Sequence, residues 1–128
     1  TNNPRPLSTP HPRILIGGTG PTKTLRMVAQ YADACNIGDW VGTENMQKAL
    51  DTLKKHCETL GRDYATIEKT ALSTVNLSGD DTAESILKRI QQLSGMGFTH
   101  VIFNMPDVDQ ITPLELFAKK IIPIAAGL

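Results

Sequence analysis

The sequence carries no surplus of charge of either sign and few aromatic side chains. Its 128 residues include 13 basic and 13 acidic side chains, so the formal net charge is zero. Because there is no basic surplus and no single-sign run, we predict neither a nucleic-acid partner nor a charged interaction tail. Aromatic residues make up 5% of the chain, so the core must consist mainly of Ile, Leu, Val, Ala and Met.

Long apolar runs and patterned cysteines are also missing. No stretch reaches the roughly 18 apolar residues that span a bilayer, and the polar, proline-rich first residues are unlike a signal peptide. We therefore expect no membrane partner. Cys35 and Cys57 have neither a CxxC spacing nor a Cys/His metal-ligand spacing. This usage favours a reduced, cytoplasmic protein over a disulfide or zinc framework.

The first 13 residues, TNNPRPLSTPHPR, differ in composition from the rest of the chain. Because proline lacks a backbone N–H, this proline-rich segment cannot continue a helix or a central strand. We predict that residues 1–13 form an extended lead-in or a linker. Residues 14–128 are expected to form one domain, which suits the length of the chain.

From residue 14 onward, a short apolar run followed by an amphipathic helical pattern recurs four times. The predicted strands cover residues 14–16, 34–37, part of 67–78, and 100–106. The first run is typical of a fully buried parallel strand. The helices follow from apolar side chains three and four residues apart: Leu25, Val28, Ala29 and Ala32; Met46, Ala49, Leu50, Leu53, Cys57 and Leu60; Ala83, Ile86, Leu87, Ile90 and Leu93; and a last helix over 112–124.

Capping residues mark the predicted helix ends. Thr43 is expected to cap the second helix and Gly61 to end it, and Asp81-x-x-Glu84 indicates a capping box before the third. The last helix is predicted to have Thr112 as its cap, Pro113 at its first position, Glu115 completing a box, and Pro123 at its end or in its last turn.

Alternating strands and helices predict an α/β fold with a parallel sheet and right-handed crossovers. Two architectures fit this order: a small open sheet with helices on both faces, and half of an eight-stranded (β/α)8 barrel. The pattern alone does not separate them. Both place their functional sites at the carboxyl ends of the strands.

The stretch ILIGGTGPTKTLR, residues 14–26, carries the sharpest functional signal. Glycines allow a ligand to approach the backbone, and the following helix start offers unpaired N–H groups at its positive end. These features predict a phosphate seat, and the alternative is a tight turn with a threonine cap. The stretch matches neither a Walker A loop nor a GxGxxG fingerprint. The seat is assigned to Gly17, Gly18, Thr19, Gly20, Thr22, Lys23 and Thr24, with Thr22 as the alternative cap and Arg26 as a further source of charge.

Asn36 is a second candidate, because it lies near the carboxyl end of its predicted strand and the single tryptophan, Trp40, follows it. The two side chains either contact a ring system or serve as a loop cap and a cover for the core. Asn104 has the matching position on the last strand, with Asp107 and Asp109 behind it. A turn is commoner than a cation site in that pattern, so we predict no metal.

The histidines do not indicate a catalytic group. His11 lies in the proline-rich segment, His56 on a polar helix face, and His100 at the amino end of the last strand. None pairs with a nearby nucleophile and carboxylate as a triad would. The catalytic residues are therefore left unassigned, and Cys57 is interpreted as a core thiol.

The segment PHPRILIGGTGPTKTLRMVAQYADACNI closely resembles luciferase-like monooxygenases, and more narrowly the oxidoreductases that depend on the deazaflavin coenzyme F-420 (F420). The resemblance lies in the Pro-x-Ile-Leu-Ile-Gly-Gly stretch, in Thr-Leu-Arg, and in Ala-Asp-Ala-Cys-Asn. The stretches HCETLGRD, GFTHVIFNMPD and ELFAKKIIPIAAGL resemble the end of the same family. The resemblance covers residues 10–128.

This resemblance implies a (β/α)8 barrel that uses coenzyme F420, or alternatively flavin mononucleotide (FMN), for hydride transfer. It implies that the cofactor phosphate lies at residues 17–20 and at the helix start, 22–24. Family members are far longer, so the chain corresponds to the carboxyl-terminal half of such a barrel. Because a half barrel leaves two strand edges open, we expect a homo-oligomer or pairing with an amino-terminal half.

Three functions remain open on the sequence. The first is an oxidoreductase, or its cofactor-phosphate half, which acts on an unknown small molecule. The second is a non-catalytic phosphate- or cofactor-binding half barrel that self-associates. The third is a small doubly wound domain with a structural or partner role. The sequence blocks favour the first, whereas the absence of an evident general base favours the second for the chain alone.

Overall fold

A computed structural model of the chain describes residue 7 and residues 9–77, 79–106 and 111–127, without the side chains of Ile111 and Pro113. It contains one four-stranded sheet in the order β1-β2-β3-β4, and every neighbouring pair is parallel. The predicted α/β fold with a parallel sheet is confirmed. The strands are β1 Leu15–Gly17, β2 Ala34–Gly38, β3 Glu68–Thr74 and β4 His100–Asn104.

The described helices lie on one face of the sheet. Alternate strand residues, among them Ile16, Ile37 and Ala71, join the apolar clusters that the helices form. Their neighbours along the strands point to the other face, which we call the open face. The strand order follows the chain without reversal, and such right-handed crossovers place all helices on the same side. The described helices therefore differ from the alternative with helices on both faces, which a doubly wound domain would need.

The first strand is not fully buried, contrary to the prediction. Ile14 and Leu15 are 41% and 52% exposed. β1 lies at an edge of the sheet, and Leu15 points to the open face, where no described helix covers it. An apolar run of this length does not distinguish a central strand from an edge strand.

The helical faces agree with the predicted periodicity. Leu25, Val28 and Ala29 are buried on the first helix, and Cys57 closes the buried stripe of the second. Leu60 is the exception, at 42% exposed, because it lies in the last turn before Gly61, whose left-handed φ of 70° ends the helix as predicted. The helices are α1 Thr24–Tyr31, α2 Thr43–Leu60, α3 Ala83–Gly95, α4 Ile111–Leu116 and α5 Ile122–Ala125, with a π-helical segment, Phe117–Ile121, between the last two.

Several predicted helix caps are displaced by one or two residues. Thr43 is the first residue of α2, since Gly42 occupies the capping position. The capping box of α3 consists of Thr82 and Ser85. Asp81 is engaged elsewhere, because its carboxylate accepts from the backbone N–H of Asn76.

The last helical region also differs in its details. Thr112 lies inside α4 and does not cap it, whereas Pro123 lies in the first turn of α5, the last helical turn of the chain. Proline has no N–H to donate to the carbonyl four residues earlier. The π-helical segment directly before Pro123 is where the ladder of hydrogen bonds widens.

Candidate functional site

The glycine loop connects β1 to α1 at the carboxyl end of the sheet. The N–H of Gly18 donates to the carbonyl of Asn36 on β2 at 3.0 Å. Gly18 has a φ of +121°, a conformation that favours glycine. A Cβ at this position would also lie 3.2 Å from Cγ2 of Thr24. The loop conformation therefore depends on glycine at residue 18.

Gly20 is required by a close approach, and Gly17 is not. A Cβ on Gly20 would lie 2.8 Å from Oγ1 of Thr24, while one on Gly17 would meet nothing nearer than 3.8 Å. The carbonyl of Gly20 accepts from the N–H of Leu25 at 2.9 Å, so the loop folds back against the first turn of α1. Two of the three glycines are thus fixed by local geometry.

The start of α1 has no side-chain cap. Lys23 occupies the capping position and accepts no hydrogen bond there, so the alternative with Thr22 as the cap is wrong. Within the described part of the chain, the N–H groups of Thr19, Thr22 and Thr24 have no hydrogen-bond acceptor. By contrast, Thr82 and its capping-box partner satisfy the start of α3. An uncapped helix start leaves N–H donors and a positive dipole end for an anion.

Side chains from α2 complete the surroundings of the loop. A cleft of about 170 Å³ lies between the loop and α2, with Thr19 on one wall and Asn45 and Lys48 on the other. His56 donates through Nε2 to the carbonyl of Pro21 at 2.7 Å, which holds the loop against the helix. The sequence analysis missed these α2 residues. Their signal is a polar stripe at helical spacing beside the apolar face.

Asn36 lies next to the loop, as the prediction requires. Its Cα pairs with Gly17 of β1 and with Thr70 of β3. The hydroxyl of Thr70 lies 2.8 Å from the carbonyl oxygen of Cys35 and 2.9 Å from the side-chain oxygen of Asn36. The structure thus brings Asn36 together with the glycine loop. The cofactor role of these residues stays a prediction.

Trp40 covers Gly38 at the end of β2. A Cβ on Gly38 would lie 2.2 Å from Cη2 of the indole, so the ring occupies the space of a side chain at that position. The indole itself is 70% exposed. The prediction that Trp40 either contacts a ring or covers the core rim is therefore resolved toward an exposed surface.

A polar network fixes the loop that carries Trp40. The hydroxyl of Ser73 donates to Oδ2 of Asp39, and Nη1 of Arg89 donates to Oγ of Ser73 at 3.1 Å. Nη2 of Arg89 donates to Asp81 at 3.0 Å. The network joins the loops after β2 and β3 to α3, and its members satisfy one another.

The buried titratable groups lie away from this end of the sheet. Burial raises the pKa of the Cys35 and Cys57 thiols and lowers the pKa of the Lys69 ammonium. Nζ of Lys69 donates to the carbonyl of Tyr64 at 2.8 Å and lies 3.8 Å from the centre of its ring. These groups belong to the core between sheet and helices, and we assign them a structural role.

The remaining predictions concern histidines and metals. His100 lies 3.7 Å from Glu68 at the amino end of the sheet, far along the strands from the glycine loop. Within the described residues, no cluster of three His, Cys, Asp or Glu side chains could hold a metal ion. Asp107 and Asp109 lie outside the described residues. No helix in the described ranges combines the length and the apolar character needed to cross a membrane.

No protein-family model and no curated protein sequence matches the chain. Two solved structures share its fold. One is an F420-dependent secondary alcohol dehydrogenase in complex with an F420-acetone adduct, with a TM-score of 0.67 and 14% identity over 88% of this chain and 48% of that one. The other is the coenzyme F420-dependent tetrahydromethanopterin reductase from Methanopyrus kandleri, with a TM-score of 0.64 and 14% identity over 85% and 50%. The chain thus spans about half the length of either structure.

Proposed function

We propose that residues 14–128 form the carboxyl-terminal half of a (β/α)8 barrel of the luciferase-like type, and that its glycine loop binds the phosphate of coenzyme F420 or, alternatively, of FMN. The observation that carries this proposal is the uncapped start of α1 behind the glycine loop, at the carboxyl end of a parallel sheet. The shared fold with two proteins named as F420-dependent supports the choice of cofactor. Two free, buried cysteines suit a reducing, cytoplasmic setting.

The residues present fit a phosphate. The loop offers backbone donors at Thr19 and Thr22, a hydroxyl at Thr24, and positive charge at Lys23, which is exposed beside the helix start. Lys48 adds a second cation from α2 across the cleft. Such donor sets bind anions through hydrogen bonds and the helix dipole together. The cofactor would supply hydride transfer, and the contribution of this chain is to hold the phosphate and set the position of the molecule. The substrate of the oxidoreductase is then a small molecule that reaches the same end of the sheet.

A second candidate function is a non-catalytic cofactor-binding half barrel that self-associates. It is favoured by the open face, where Leu15 and Ile102 are exposed, and by the unpaired edges of β1 and β4. Such edges are usually covered or paired. In this proposal, a second copy of the chain or an amino-terminal half lies on the open face.

Cofactor titration tests the proposed function. FMN, F420 and riboflavin, which has the flavin ring without the phosphate, are titrated against the 128-residue chain, with ligand fluorescence as the readout. We expect FMN to bind more tightly than riboflavin, and Gly18→Val to abolish that difference. Gly97→Val is the matched control, because Gly97 has a φ of +101° and open space around it but lies far from the loop. Equal affinity for FMN and riboflavin would reject the phosphate seat.

A further inference from the structure

We propose that Trp40, with Leu72 and Ile102, forms a docking platform for the planar heteroaromatic ring of the molecule whose phosphate occupies the glycine loop. This inference rests on the proposed function and extends it from the phosphate to the ring. It assigns Trp40 a ligand contact and Gly38 a positioning role. The platform lies on the open face at the carboxyl end of the sheet.

The first argument is the placement of the indole. Its six-membered ring lies where a side chain of Gly38 would be, with three ring carbons within 2.3 Å of the Cβ position. Any residue other than glycine at 38 would displace the ring. Trp40 therefore lies against the backbone of β2 and remains 70% exposed. A large aromatic side chain that is held in place and still exposed is an unusual use of apolar surface in a chain with few aromatic residues.

The second argument is the row of apolar side chains beside it. Gly38 pairs with Leu72, and Leu72 pairs with Ile102, so the three positions lie side by side on the open face. Ile102 is 40% exposed and Leu72 is half-buried. The indole and the two aliphatic side chains form a continuous apolar strip across three strands. A strip of this kind matches the face of a fused aromatic ring.

The third argument is a polar group one step along the strand. Asn36 lies two residues before Gly38 and points to the same face. The hydroxyl of Thr70 has one hydrogen and donates either to the carbonyl of Cys35 or to the amide of Asn36. In either case the Asn36 amide has hydrogen-bonding capacity left for a ligand, because no other described residue bonds to it. A heteroaromatic ring has polar edge atoms that this amide can meet.

The fourth argument is that the platform and the phosphate seat are adjacent. Gly17 pairs with Asn36, and paired strands lie about 4.8 Å apart. Gly38 lies two residues, or roughly 7 Å, farther along β2. One ligand with a phosphate on a short flexible tether can therefore reach the glycine loop and the platform at the same time. The bonds of Asp39 with Ser73 hold the Trp40 loop before the ligand arrives, which reduces the entropy lost on binding.

The experiment uses Trp40 as its own reporter, since it is the only tryptophan. FMN and riboflavin are titrated while tryptophan emission is followed, and flavin fluorescence gives the affinity for Trp40→Ala and Trp40→Phe. We expect saturable quenching of Trp40 by both ligands. Trp40→Ala should weaken both ligands about tenfold, as loss of a base-stacking aromatic does, and Trp40→Phe should restore most of the affinity. The tighter binding of FMN relative to riboflavin should persist in both variants, because the phosphate seat is intact.

The control is Tyr31→Ala, which removes an exposed aromatic side chain from α1, away from the open face. Thermal unfolding of Trp40→Ala verifies that the sheet remains folded. Unchanged affinity in Trp40→Ala, with an FMN preference that is still lost in Gly18→Val, would overturn the platform and leave the phosphate seat standing. Binding of neither FMN nor F420 by the unmutated chain would reject both proposals. Equal loss in Tyr31→Ala and Trp40→Ala would also overturn the platform.

Discussion

The backbone N–H of Gly18 donates to the carbonyl of Asn36 at 3.0 Å, so the glycine loop is an extension of the β1–β2 ladder. The loop is therefore tied to the rigid sheet and does not depend on its own contacts alone. The same bond places Asn36 beside the uncapped start of α1. The two groups of predicted site residues, which lie well apart in the sequence, are joined by this one hydrogen bond.

The contact between Gly20 and Thr24 predicts a coupled pair of mutations. Gly20→Ala places a Cβ 2.8 Å from Oγ1 of Thr24, and overpacking of this kind typically costs about 1–3 kcal/mol. In the Thr24→Ala background the nearest atom is absent, so the same substitution should cost less. Urea unfolding of the two single variants and the double variant measures the coupling energy. Strictly additive effects would show that the loop relaxes without involving Thr24.

The network around Arg89 predicts a large difference between two arginine substitutions. Arg89→Met removes the donors to Ser73 and Asp81 and leaves partly buried oxygens unpaired, which should lower the free energy of unfolding by about 2–4 kcal/mol. Arg13→Met is the matched control. Arg13 pairs with Glu68 on the surface, and such exposed pairs contribute about 0–1 kcal/mol. Chemical denaturation compares the two, and similar losses would contradict a stabilising role for the network.

Tyr64 predicts a loss of stability in alkaline solution. Burial raises the pKa of its hydroxyl from 10.0 to about 12, so the folded state favours the neutral form. Its contribution to stability is complete below the unfolded-state pKa and is lost as pH rises from 10.0 toward about 12. Tyr64→Phe should make the decline in unfolding free energy over that interval shallower. Tyr31→Phe, which removes a surface hydroxyl, should have no such effect, and urea unfolding across the interval tests both.

The buried cysteines act in the same direction as Tyr64, and Lys69 acts in the opposite one. Burial raises the thiol pKa values from 9.0, so stability falls as pH rises above 9.0. Burial lowers the pKa of Lys69 from 10.5, so its neutral form gains weight as pH approaches 10.5 and stability rises with it. The Tyr64→Phe comparison at matched pH isolates the tyrosine from these two effects.

The order of strands and helices and the buried helix faces could be predicted from the sequence, because burial follows a local period of two or 3.6 residues. Leu25, Val28 and Ala29 illustrate this agreement. Helix starts were less accurate, since a capping side chain can have another partner: Asp81 bonds to Arg89 and to a backbone N–H, and the box moves to Thr82. Such competition is set by residues far away in the sequence.

The candidate site was predictable in part for the same reason. The glycine loop is a local pattern, and it lies where the prediction placed it, at the carboxyl end of β1. The seating of Trp40 on Gly38, the α2 side chains beside Thr19, and the exposure of Leu15 depend on how elements meet in three dimensions. No spacing rule along the chain encodes those contacts.

The open face predicts self-association that a single surface charge should weaken. Leu15 is exposed on this face at the edge of the sheet, and covering it removes apolar surface from water. Sedimentation velocity over a concentration series should give a mass that rises with concentration, and Leu15→Asp should lower it toward that of the monomer. Leu60→Asp is the matched control, because Leu60 is similarly exposed but lies at the end of α2, away from both sheet edges. A monomer at every concentration, or an equal response in both variants, would mean that the open face does not bind a second copy of the chain.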